Sequence, residues 1–114
     1  MIRRQARLIR IYIGESDRHA ARPLYEEIVA QCQEAGVEHA MVYRGIEGYG
    51  ASTLIHRPGL FGRSRDAPIV ITVIASSEQA ARLQPALEAI VDEGLIAISE
   101  AEIIRFQETA DGGR

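Results

Sequence analysis

A chain of 114 residues with a net charge of −3 fits one domain with one real core and lacks the overall basic footprint of a nucleic-acid binder. Its one cysteine, Cys32, excludes an internal disulfide and a cysteine-based zinc site. All 13 basic residues are arginines, whose planar guanidinium forks suit small anions.

The order of elements is read from periodicity. Arg7 to Ile13 alternates as a strand, with Ile9, Ile11 and Ile13 on one side and Leu8, Arg10 and Tyr12 on the other. Arg10 also interrupts any signal-peptide apolar region, so a cytoplasmic location is expected. Gly14 to Arg22 is a polar connection. Pro23 stands where a helix takes its first residue. Leu24, Ile28, Cys32 and Ala35 then form an apolar helical stripe, closed by Gly36. Glu38 to Ile46 is a second strand. Pro68 to Ala75 is a third and nearly all apolar; it is far too short to cross a bilayer. Ser76 or Ser77 caps a second helix, whose buried face carries Ala80, Leu83, Leu87, Ile90 and Val91. Pro85 should kink that helix or leave a carbonyl free, and Gly94 stops it. Leu95 to Ile98 and Glu102 to Phe106 make a last strand, bent near Ser99. Thr109 to Arg114 is expected to fray.

The order β-α-β-β-α-β predicts an α+β, ferredoxin-like fold: a four-stranded antiparallel sheet with two helices on one face. The whole chain, 1–114, reads as a single domain with its core in about 7–106. Two features depart from a plain monomer. Ile69, Ile71 and Val73 face one way and Val70, Thr72 and Ile74 the other, so the face without helices is apolar. A half-wet antiparallel sheet should alternate with polar residues, so this face predicts a homo-oligomer whose sheets face inward. The connection between strands two and three, about 51–67, is also long, since structureless loops above roughly 12–15 residues are uncommon unless functional or disordered. It carries Arg57, Arg63 and Arg65, follows Arg44, and has glycines at 48, 50, 59 and 62. Gly-rich backbone and guanidinium groups suit phosphate.

Several stretches carry a resemblance. They are Gly14-Glu15-Ser16-Asp17, Pro23-Leu24-Tyr25-Glu26-Glu27-Ile28-Val29 and Tyr43-Arg44-Gly45-Ile46-Glu47-Gly48-Tyr49-Gly50-Ala51-Ser52. Leu83-Gln84-Pro85-Ala86-Leu87 and Ala101-Glu102-Ile103-Ile104-Arg105-Phe106 join them. Together they resemble the domain-of-unknown-function 190 family over about residues 7 to 106. That family is similar in fold to the PII signal-transduction proteins and to the divalent-cation-tolerance proteins. The resemblance implies a homotrimer with sheets packed around an axis. It implies an adenine nucleotide, or a related anionic effector, in clefts between subunits at the base of the 51–67 loop. It also implies a membrane transporter or an enzyme as the partner reached by that loop. Gly48-Tyr49-Gly50 resembles the PII Gly-aromatic-Gly turn, whose N–H groups meet the ligand, and Arg105 resembles a phosphate-contacting arginine. Gln107 stands where PII proteins have a second arginine. Gly94-Leu95-Ile96-Ala97 replaces a Gly-Asp-Gly-Lys segment, which removes a main cationic partner of a triphosphate.

Other chemistry finds little support. His19, His39 and His56 lie in separate segments with no metal-ligand spacing. Glu26-Glu27 and Asp92-Glu93 read as solvated helix surface, and Cys32 as core. Strand three lacks the aromatic and basic residues of an RNA-stacking sheet. The expectation is a non-enzymatic, PII-like regulatory protein with no metal, no nucleic-acid partner and no membrane insertion. Its ligand residues are Arg44, Gly48, Tyr49, Gly50, Arg57 and Arg105. The alternatives are a ligand-free oligomeric scaffold and a small interface-site enzyme with His56 or Glu47 as base.

Overall fold

Eight strands and two helices run along the residues that the computed structural model describes, which are 1–46, 48–49, 55–56 and 66–107. They are β1 (Ile2–Gly14), β2 (Arg18–His19), β3 (Arg22–Pro23), α1 (Leu24–Ala35), β4 (His39–Arg44), β5 (Gly48–Tyr49), β6 (Ile55–His56), β7 (Pro68–Ala75), α2 (Ser77–Ile90) and β8 (Leu95–Arg105). Four of them form an antiparallel sheet in the order β4-β7-β1-β8, the ferredoxin-like plan. Among the described residues no helix is long and apolar enough to cross a membrane.

The core lies between this sheet and the helices. β-Branched side chains pack well on a pleated surface, and Ile9, Ile11, Ile13, Ile69, Ile71 and Val73 are all buried against Leu24, Ile28, Cys32, Leu83 and Leu87. Each such side chain contributes about 1.5–3 kcal/mol by leaving water.

The helix ends follow local chemistry. Gly36 adopts the left-handed conformation (φ 82°), and its N–H donates to the Gln33 carbonyl while that of Val37 donates to the Cys32 carbonyl. This is a Schellman closure of α1. Pro23 is the cap residue and not the first helical one; the N–H of Leu24, at the start of the helix, donates to the Asp17 carbonyl. Ser76 caps α2 in a reciprocal box with Gln79, as the capping pattern requires.

Several sequence expectations need correction. β1 starts at Ile2, not Arg7, because its polar first half pairs with the second half of β8. β8 runs unbroken through Ser99, held along its length by that partner. Pro85 lies inside α2, which runs from Ser77 to Ile90. Gly94 lies beyond the end of α2, where it has a φ of 148° and a side chain would meet the Tyr12 carbonyl oxygen at 2.6 Å. Its role is a close approach to β1 rather than a helix stop.

The register fixes the rows on the face that no helix covers. They are Tyr43, Val70, Tyr12 and Leu95, then Met41, Thr72, Arg10 and Ala97, then His39, Ile74, Leu8 and Ser99. Met41, Tyr43 and Leu95 are exposed in the single chain.

Candidate ligand-binding site

The turn after β1 organises one end of the sheet. The Asp17 carboxylate accepts from the Gly14 N–H at 3.0 Å, and the Asp17 N–H donates back to the Gly14 carbonyl. Side chains of this type stabilise turns by bonding nearby backbone. Both feet of the long connection then meet this turn. On the incoming side, Arg44 Nε donates to Glu15 Oε1 at 3.1 Å, and the Gly45 N–H donates to the Pro68 carbonyl at 2.7 Å. On the outgoing side, Asp66 Oδ1 accepts from the Ser16 N–H at 3.0 Å and from Ser16 Oγ at 2.7 Å. The Glu15 N–H donates to the carbonyl of buried Ala67 at 2.8 Å.

Gly48 and Tyr49 form β5, which pairs antiparallel with Ile55 and His56 of β6. Gly50, Arg57 and Glu47 lie outside the described residues, as does most of 51–67.

The sixth candidate stands elsewhere. Arg44 is in register with Ile69, and Ile69 with Ile13, whereas Arg105 is opposite Ile2. Nearly the whole 13-residue length of β1, roughly 35–40 Å of extended strand, separates them within one chain. Arg105 NH2 donates to Glu38 Oε2 at 2.7 Å, and Arg4 pairs with the same oxygen. Arg3 and Arg7, on the same half of β1, pair with Glu102 and Glu100 of β8.

Sequence reasoning did not single out Arg4, Glu38, Ser16 or Asp66 as site residues. Glu38 is 67 positions from Arg105, and Asp66 is 50 from Ser16, so no local spacing joins them. The arginine-rich start of the chain was the available signal.

Arg44 and Arg105, each beside a carboxylate, carry guanidinium groups of the kind that engage anions. Among the described residues no three metal-ligating side chains converge. Burial pushes the Cys32 thiol up to about 11, which keeps it protonated and poorly nucleophilic at neutral pH. A cleft lined by Asp17, Arg18, Asp92 and Glu93 is predominantly acidic and unsuited to phosphate.

Residues 6–103 match the model of the DUF190 family, described as "Uncharacterized ACR". The UPF0166 protein of Aquifex aeolicus is 30% identical over 98 residues, which cover 86% of this chain and 92% of that protein. Among solved structures, the chain is similar to CPII, a nitrogen regulatory PII-like protein from Thiomonas intermedia K12, bound to ADP, AMP and bicarbonate. The identity is 19%, the TM-score 0.64, and the match covers 91% of this chain and 92% of the other. A putative PII-like signaling protein from Thermus thermophilus gives 14% identity and a TM-score of 0.58, over 91% and 94% of the two chains. The chain belongs to the DUF190 family and has a PII-like fold.

Proposed function

We propose that this DUF190 chain is a cytoplasmic, non-catalytic regulator of the PII type. Three copies turn their open sheet faces inward, and an adenine nucleotide binds in the clefts between them. Gly48-Tyr49-Gly50, Arg44 and Arg57 of one copy and Arg105 of a neighbour line each cleft. A contact between copies answers the separation of Arg44 from Arg105 along β1. Ligand binding favours one arrangement of segment 51–67, which engages or releases a transporter or enzyme partner.

The observation that carries this reading is the fold shared over nine-tenths of the chain with a PII-like protein bound to ADP, AMP and bicarbonate. The apolar open face of the sheet supports assembly. Titration calorimetry and thermal melts with ADP and AMP, with and without bicarbonate, test it alongside light scattering. A rise in Tm with nucleotide is expected, because a ligand bound only to the folded state stabilises it. No heat and no shift with any adenine nucleotide would overturn it.

One observation favours the ligand-free scaffold. Arg44 and Arg105 each have a carboxylate partner within the chain, Glu15 and Glu38. The same calorimetry separates the two readings.

A further inference from the structure

We infer that Arg4 and Arg105 form a two-guanidinium oxyanion site that the Glu38 carboxylate occupies in the free chain, and that a phosphoryl group binds by replacing it. The inference rests on the proposed nucleotide reading only for what carries the phosphate.

The charges on the β1–β8 ribbon are not evenly matched. Arg3 with Glu102 and Arg7 with Glu100 are one-to-one pairs. Arg4 and Arg105 share one acceptor, Glu38 Oε2, so this cluster keeps a positive excess. Ile2 pairs with Arg105 and Arg4 with Ile103, and two residues along a strand return to the same face. The two guanidiniums therefore stand on one side of the ribbon. Each carries five donors, and two of those ten meet Glu38.

Glu38 is held where a resident competitor should be. It follows Gly36 and Val37 in the short link from α1 to β4. Val37 is bonded back to the Cys32 carbonyl, and His39 is in register with Ile74. The carboxylate is thus tethered beside the arginines at high effective concentration. In the single chain the site is open, because the three side chains are between a third and a half exposed. A monoanion such as acetate matches the charge of Glu38 and has no tether, so it loses the competition. A phosphoryl group brings a larger charge and three acceptor oxygens, which both forks can engage side-on. Releasing Glu38 into water costs little, since partly exposed ion pairs contribute weakly. Glu38 would then act as a filter that admits phosphates and rejects weaker oxyanions.

Calorimetry at fixed low salt tests this with ADP and inorganic pyrophosphate as probes, on wild type, Glu38→Gln, Arg4→Ala and Arg105→Ala, with folding checked by circular dichroism. Glu38→Gln should bind both probes about three- to tenfold more tightly, the range two weak ion pairs allow. Arg4→Ala and Arg105→Ala should each weaken binding about tenfold or more, as loss of a charged hydrogen bond does. If either alanine variant is unfolded, the Glu38→Gln result decides alone. Tighter pyrophosphate binding by Glu38→Gln with no ADP binding would support the site and overturn the nucleotide reading. ADP binding that is equal in wild type, Glu38→Gln and Arg4→Ala would overturn the site and leave that reading standing. Failure of both probes to bind any variant would overturn both.

Discussion

Ile71 and Thr72 are neighbours on β7 and meet different surroundings. Ile71 lies under the two helices, fully buried among Ile9, Ile11, Ile28 and Leu87. Thr72 shares the open face with Met41, Arg10 and Ala97. Beneath the helices the covered face is apolar. The open face is also largely apolar, with Leu8, Tyr12, Tyr43, Val70, Ile74 and Leu95 around a few polar side chains. A sheet whose second face met only water would carry polar residues there. The contrast shows that this chain's own helices account for the hydrophobicity of one face of the sheet, and that the other face is suited to a further layer.

The largest expected effect lies on the covered face. Ile71→Ala removes a fully buried side chain and leaves a cavity, so the urea unfolding free energy should fall by about 2–5 kcal/mol. Thr72→Ala, one residue along, should stay within about 0.5 kcal/mol if its face is wet. Equal losses from the two variants in a monomeric sample would erase the contrast. Gly94→Ala comes next. It places a methyl group 2.6 Å from the Tyr12 carbonyl at a φ of 148°, and the expected loss is about 1–3 kcal/mol in the same assay.

Cys32 extends the covered face into pH. Burial raises its thiol in the folded chain from 9.0 to about 11, so the folded state resists ionisation that the unfolded state accepts. The stabilisation is whole below about pH 9 and is lost as pH climbs from there toward 11. Unfolding midpoints measured from pH 8 to 10.5 should fall more steeply for wild type than for Cys32→Ala. Parallel curves would show that the thiol is not desolvated.

The covered face was also the legible one. Ile9, Ile11 and Ile13 alternate with polar or half-buried neighbours, and Leu24, Ile28, Cys32 and Ala35 recur at helical spacing. These periods are local and survive without knowledge of the partner. The first half of β1 has no such period, since Arg3, Arg4 and Arg7 break it. Its strand structure depends on β8, more than 90 residues away, through cross-strand pairs such as Arg7 with Glu100. The candidate site divides in the same way. Arg44 and the glycines after it stand close together in the chain, and so were readable. Glu38 beside Arg105, and Asp66 on Ser16, are long-range ion pairs and hydrogen bonds with no sequence period. Pro85 breaks a local rule, yet α2 runs unbroken through it, because tertiary packing of Leu83 and Leu87 outweighs one missing N–H.

The smallest effect on folding, and the most discriminating, belongs to the open face. Met41 is an exposed residue in the row with Thr72 and Arg10. Within a lone chain, Met41→Glu should change stability by no more than about 0.5 kcal/mol. Between packed copies it would bury a carboxylate in an apolar layer, where an unpaired charge is strongly disfavoured. Wild-type Tm should therefore rise with protein concentration, as linkage between folding and assembly requires. Met41→Glu should abolish that dependence and scatter light as a monomer while keeping its far-ultraviolet spectrum. A variant that assembles as wild type does would mean that this row lies outside the contact, and that the apolar character of the open face serves something other than its own copies.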